Sequence, residues 1–600
     1  MNEKDVHQTS TIDNLHLIAA SISDTSSIYN EKFTWYDYSF FTIMLAASAL
    51  IGVYFGFYKK QETMKDYLFG GKNMGVLPIS MSMTANAVSG ISLLAIPADI
   101  YRYGTAYWFG YPATILIVVL SYFVFLPVFF KLQITSTFHY LKLRFDTKTR
   151  LLGSLLYGIY SFLYLPIVIY VPALALAQAT GLHLHVITWL VCIVCIFYTS
   201  VGGLKAVVYS DTLQFILIMS SLLIVFVMGT YKAGGIWNVL NIAYENERFS
   251  IPADFDLTKR DTLWSGTIGI FFTWLYGNAI NQVLIQKCLA LPSRKHIKTS
   301  LILYCIGIFI IGTLCVTNGL LIYAYFWNCD PVESGILEKH DQLIPFYIIN
   351  ILKIPGLPGL FIAGIFSAAL STLSGSMNGL SGTIYEDFIG PRLSKKISES
   401  TKSKILKLIA VLIGAICTVL VSVVEHLGGI LALSNSLLGV TTGTIVGLFS
   451  VGMLIPMVNS KGAYYGGLTT LTIMTVIVGG YQWNQSQGNL VYPTLPISVE
   501  GCSNSSILLE NLNKTISTTA AHNEDVFFLF RISFYWYTLI GLIIFTITSV
   551  LISSCTKTGK IVSRDLLSPV IYRFLSENYM TSPPTYTSID KALIVIENNK

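Results

Sequence analysis

Residues 78 to 97 read Pro78-Ile-Ser-Met-Ser-Met-Thr-Ala-Asn-Ala-Val-Ser-Gly-Ile-Ser-Leu-Leu-Ala-Ile-Pro97. The stretch is long enough to cross a hydrocarbon layer, yet it is dense in Ser, Thr, Asn and Gly and bracketed by prolines. A helix of this kind can break in mid-membrane. Unwound backbone then offers carbonyls to a cation, and the N-terminus of the second half favours an anion. Trp274-Leu-Tyr-Gly-Asn-Ala-Ile-Asn-Gln282 has the same character five apolar stretches later. Two interrupted helices at matching places in two five-helix halves predict an inverted-repeat transporter, with repeats near 75–231 and 264–455. The alternative is that these small polar residues only let helices pack closely.

The rest of the chain agrees with a membrane setting. Of 600 residues, 53% are hydrophobic and 12% charged, about half the charge of a soluble chain. Thirteen apolar stretches of roughly 20 residues, the length of a bilayer-crossing helix, fall near 37–58, 75–100, 107–130, 151–178, 185–203, 209–231, 264–285, 300–326, 356–388, 405–424, 428–455, 463–480 and 532–554. The reading is an all-α membrane protein with about 13 transmembrane helices over 37–554, an N-terminal segment 1–36 and a tail 555–600. The polar stretch ahead of the first apolar run makes that run an anchor, not a cleaved signal. The net charge of +6 then reflects basic cytosolic loops, and no nucleic-acid partner is expected.

The short connections after odd-numbered stretches carry nineteen cations, among them Lys72, Lys131, Arg144, Arg150, Lys287 and Arg392, against Arg102 alone in the short loops on the other face. The positive-inside rule puts the N-terminus outside and the C-terminus in the cytosol of a plasma-membrane protein. The three sequons, at Asn484, Asn504 and Asn513, all fall in the 481–531 loop that this topology leaves outside, which makes them glycosylation candidates. Of nine cysteines, only Cys329 and Cys502 lie in predicted extracellular loops, where they either bridge or stay free. Cys192-x-x-Cys195 lacks a second pair at zinc spacing and reads as packing. In the tail, Pro583-Pro584-Thr585-Tyr586 suits the aromatic groove of a WW-domain protein, or its prolines merely end a helix.

No phosphate-binding glycine loop occurs, and the cytosolic loops are too short for a nucleotide-binding domain. Nor is there a nucleophile and base at recognisable spacing, so an enzyme is not expected. Carboxylates are scarce within the spans: Asp211 sits near the start of the sixth, as a functional group or as a helix cap, and Glu386 and Asp387 close the ninth. The string of carboxylates usual in proton pumps is missing, and a metal cation held by neutral oxygens fits better. In the ninth stretch, Ala368, Ser371 and Thr372 are spaced i, i+3, i+4 and share one face. They form either hard oxygen ligands for sodium or a packing stripe.

Phe69-Gly-Gly-Lys72, Lys131-Leu-Gln-Ile-Thr-Ser-Thr137 with Arg144-Phe145, Gly202-Gly-Leu-Lys-Ala-Val207 with Asp211 and Gln214, Asn281-Gln282 with Gln286, Asn378 with Glu386-Asp-Phe388, and Asn459-Ser-Lys-Gly-Ala463 are together specific. Over most of 37–555 the chain resembles the solute:sodium symporter family, and within it the animal branch of monocarboxylate, multivitamin and iodide transporters. The resemblance implies a LeuT-like five-plus-five inverted repeat and coupling to inward sodium movement. It implies a sodium site of carbonyls matching Ala85 and Val88 with Ala368, Ser371 and Thr372, and a polar sodium path at Asp211 and Gln214. Substrate contacts would match Ser92, Asn278, Gln282 and Asn435. The chain departs from the branch at Asn278-Ala279, at Gly443-Thr444, and at Ser92, where the iodide symporter has a glutamine. The expected substrate is therefore a small organic monocarboxylate or carboxylate-bearing vitamin. An inorganic anion such as iodide, or a member acting as a sensor or channel, stands as the alternative.

Overall fold

The computed structural model describes residues 33–337, 339–393, 397–426, 430–502, 526–556 and 562–575. Asn504, Asn513, Pro583, Pro584 and Tyr586 lie outside them, as does the side chain of Asn435. Every regular element among the described residues is a helix, and none is a strand.

The first span, α1 (Trp35–Val53), starts on a Thr34–Asp37 capping box. Asp37 also accepts the Gly359 N–H at 2.8 Å, binding α1 to the start of the ninth predicted stretch. The decisive stretch is two helices, α2 (Val76–Ala87) and α3 (Gly90–Tyr103), bent by 55°. After α4 (Gly110–Leu120) and α5 (Thr147–Thr180) comes α6 (Leu184–Lys232), 49 residues long. The second break separates α7 (Ser265–Ile280) from α8 (Gln282–Leu289), bent by 41°. Beyond it run α9 (Arg294–Phe326), α10 (Leu357–Ile384), α11 (Glu399–Val424), α12 (Ile430–Leu454), α13 (Ser460–Ser486) and α14 (Tyr537–Cys555).

Among the described residues nine helices are long and apolar enough to cross a membrane, or eleven if each bent pair is one span. Two causes separate this from thirteen. Only Leu438–Leu454 of α12 has its side chains described, too short a piece to count as a span, and α6 joins the fifth and sixth predicted stretches. A straight helix of that length would run about 74 Å, more than twice a bilayer core, so α6 turns at Gly203 (φ +57°). A Cβ there would stand 2.8 Å from the Tyr67 carbonyl oxygen, which only glycine avoids.

The core is built around α10, the most buried of the nine spans, with α6, α2 and α5 packed on it. Its run of Gly, Ala and Ser allows close approach. A Cβ at Gly375 would stand 2.3 Å from Asn86 Nδ2.

Three residues counted among the loop cations are not in solvent. Lys287 is 1% exposed, Arg150 3% and Arg144 7%. Each is held inside by carboxylates or carbonyls, so a cation near a predicted span end is not by itself a loop marker.

Candidate functional site

At the first break Val88 is extended (φ −95°, ψ 113°), and the Ser89 hydroxyl caps α3 from the Ser92 N–H. The last carbonyls of α2 are thereby released from the helical ladder, and α10 meets them. Ser371 Oγ lies 2.8 Å from the Ala85 carbonyl oxygen and 3.0 Å from that of Ala368. Thr372 Oγ1 lies 3.0 Å from the Ala368 oxygen and 3.2 Å from that of Asn86. Asn86 Nδ2 donates to the Ser371 carbonyl at 2.7 Å, fixing the register of the two helices. Two hydroxyl protons serve four carbonyl contacts, so lone pairs remain for a cation. The cluster is a set of hard, neutral oxygens at the end of a helix. Val88 is beside it, on the wall of the central cavity.

Asp211 is fully buried inside α6 and caps nothing, which overturns the helix-cap alternative. Ser82 Oγ donates to its Oδ2 at 2.6 Å, Lys287 Nζ approaches the same oxygen at 3.1 Å, and Ser374 Oγ lies 3.4 Å from Oδ1. Lys287 Nζ also donates to the Ser82 carbonyl at 3.0 Å. One ion pair therefore ties α6 to α8, the second half of the second broken helix, and to α2 of the first. Gln214, one turn beyond Asp211, is buried with its amide unpaired among the described residues.

Between the breaks lies a cavity of about 220 Å³. Ser92, Asn278, Asn281, Thr372, Lys287 and Ser376 reach it among aromatic side chains that include Tyr107, Tyr160 and Trp274. Tyr304 donates its hydroxyl to Asn278 Oδ1, and Asn278 Nδ2 gives one of its two protons to the Trp274 carbonyl at 3.0 Å. Of the expected substrate contacts, Ser92 and Asn278 face the cavity and Gln282 does not. Its Oε1 accepts the Thr137 N–H at 2.7 Å and its Nε2 donates to the Thr135 carbonyl at 2.9 Å. Gln282 stands one residue past the break, where helical phase has already turned it toward the 131–145 loop. Asn435 belongs to α12, whose Leu438 and Gly439 line the cavity one turn on.

The remaining motif residues gather on the side of the cavity near that loop. Gln286 Nε2 donates to the Leu68 carbonyl at 2.5 Å and to Asn378 Oδ1 at 2.7 Å. Arg150 is ion-paired with Asp387, which also accepts from Ser154 and, at 3.2 Å, from Ser136. On the opposite side Cys329 and Cys502 form a disulfide, their Cα atoms 5.2 Å apart. Asn484 is near the end of α13 on this side, its Nδ2 bonded to the Gly480 carbonyl at 2.8 Å.

Sequence reading missed Lys287, Ser82, Ser374 and Tyr304. The available signal was helical phase: Lys287 lies two residues past the predicted stretch 264–285, yet the helix that starts after the break at Asn281 runs on to Leu289.

The sodium:solute symporter family model matches residues 67–470. Sodium-coupled monocarboxylate transporter 2 of Bos taurus is 36% identical over 92% of this chain and 90% of its own length. Sodium-coupled monocarboxylate transporter 1 of Xenopus laevis is 37% identical over 87% and 86%. The human sodium/iodide cotransporter is 33% identical over 78% and 73%. The solved structure of a Na+-coupled sialic acid symporter, substrate-bound and outward-open, superposes with a TM-score of 0.71 at 25% identity over 87% of this chain and 98% of that one. An all-helical chain with two bent spans, a neutral oxygen cluster at the first break and these relatives has sodium as its coupling ion and is no enzyme: it belongs to the sodium:solute symporter family.

Proposed function

We propose that this symporter carries a small organic monocarboxylate into the cell with sodium, across the plasma membrane, by alternating access around the two breaks. The observation that carries the reading is the convergence of Ala85, Ala368, Ser371 and Thr372 on one oxygen cluster beside a small polar-and-aromatic cavity. In this reading those residues, with Val88, hold sodium. Asp211 and Gln214 border its path, with Lys287 keeping Asp211 neutralised. Ser92 and Asn278 offer hydrogen bonds to the substrate, with Asn435 as a third contact, while Gln282 braces a loop. The substrate class is supported by the monocarboxylate relatives at 36–37% identity. A hydrogen-bonding wall suits carboxylate oxygens better than a soft halide, so a carboxylate-bearing vitamin ranks beside the monocarboxylate and iodide behind both.

The orientation, with the N-terminus outside and the tail inside, is part of the proposal. The disulfide favours it, since an oxidising compartment keeps such bonds. Glycosylation at Asn484, Asn504 and Asn513 and WW-domain binding through Pro583, Pro584 and Tyr586 complete it. Radiolabelled uptake of lactate, pyruvate, butyrate, biotin, pantothenate and iodide, with and without sodium, tests the substrate. Sodium-dependent uptake of the short carboxylates is expected; uptake of iodide alone would overturn the assignment.

A further inference from the structure

We propose that Asp99, Arg260 and Asp261 form a proton-binding site that locks the outer ends of the two broken helices together on the disulfide-bearing face. Asp99 is in the last turns of α3, and Arg260 and Asp261 immediately precede α7, so the cluster joins both breaks. Arg260 is ion-paired with Asp99, its Nε is 3.3 Å from Asp261 Oδ2, and its guanidinium lies 3.7 Å from the centre of the Tyr103 ring. Two carboxylates face one guanidinium, in side chains only 8–13% exposed. Asp261 Oδ2 makes no hydrogen bond. Two buried acids that share one cation, the second facing it without a hydrogen bond, make a place for a proton.

The lock stands directly outside the cavity. Tyr107 lines the cavity, and its ring is 6.2 Å from that of Tyr535, whose hydroxyl has no hydrogen-bond partner. Asp99, Arg260 and Asp261 all act electrostatically on Tyr535, while Asp341 lies within reach of Asp99 and of Arg102. The face is fixed by Leu495, whose N–H donates to the Arg102 carbonyl at 2.9 Å in the segment that leads to Cys502. Widening the cavity toward this face parts α3 from the start of α7 and admits water to Asp261.

Burial pushes the Asp261 carboxyl from its ordinary 3.8 up to about 7, with Arg260 opposing and Asp99 reinforcing the shift. The closed lock therefore holds a proton that the hydrated, open form releases. Its weight scales as one plus ten to the power (7 − pH), so it falls about tenfold from pH 6 to pH 8 and levels off above that.

Hydrogen exchange of residues 95–105 and 258–270 in the purified full-length protein tests this without substrate, at pH 6 and pH 8, after correction for the intrinsic rate on a control segment. The wild type should lose protection up to about tenfold at pH 8. Asp261→Asn, which mimics the protonated acid, should stay protected at both. Asp99→Asn should move the change to lower pH, which keeps the test alive if Asp261→Asn fails to fold. A pH response that survives in Asp261→Asn, or a wild type with none, would overturn the proposal. The term "outer" rests on the orientation proposed above. An uptake response to cytosolic pH alone that disappears in Asp261→Asn would refute that orientation while supporting the proton site.

Discussion

Ser371 and Thr372 each place one hydroxyl between two backbone carbonyls, so removing both costs ligands rather than packing volume. At about 1.5 kcal/mol or more for a contact to a charged group, Ser371→Ala with Thr372→Ala should raise the sodium concentration for half-maximal uptake on the order of tenfold per hydroxyl. Surface expression should stay near normal; sodium dependence of uptake, normalised to surface protein, is the measurement. Lys287 and Asp211 behave differently, because each is buried and compensated only by the other and by Ser82 and Ser374. Lys287→Met leaves an uncompensated carboxylate at about 3–5 kcal/mol and should abolish surface expression. Combined with Asp211→Asn it should recover in part, as read from surface biotinylation and thermal melting. No recovery in the double variant would mean that the pair is not the structural unit described.

Within elements, two glycines in helices make opposite demands. Gly203 turns α6 at φ +57° with the Tyr67 carbonyl oxygen 2.8 Å from any added Cβ, and backbone cannot give way. Gly203→Ala should cost more than about 2 kcal/mol. Gly158, within α5, has nothing within 4 Å of an added Cβ, and Gly158→Ala should stabilise by about 0.5–1 kcal/mol. Melting of the detergent-purified protein orders the three; equal melting of both variants would contradict the turn at Gly203. The breaks themselves were legible from Ser, Asn and Gly inside apolar runs. The join of the fifth and sixth stretches was not, since Gly202-Gly203 reads equally as a loop between helices and as a turn within one.

For the whole molecule, cysteine accessibility tests the disulfide and the orientation together. Cys329 and Cys502 are bonded on one face, and Cys555, at the end of α14 on the other, is the one exposed free thiol among the described residues. An impermeant maleimide on intact cells should label nothing, then label Cys329 and Cys502 after mild reduction, and reach Cys555 only once the membrane is opened. Labelling of Cys555 on intact cells would invert the topology.

The membrane class, the positions of both breaks and the shared face of Ala368, Ser371 and Thr372 were determined by the sequence alone. They depend on hydropathy, on breakers and on helical period, which are local. Only the tertiary structure decided that Lys287 leaves the loop count to neutralise Asp211, that Gln282 turns away from the cavity while Asn278 faces it, and that Asp99 meets Arg260. Those pairings join residues 76, 145 and 161 positions apart. Which partners meet across such distances depends on how helices bend and pack, and a buried charge takes its role from the partner that the fold brings to it.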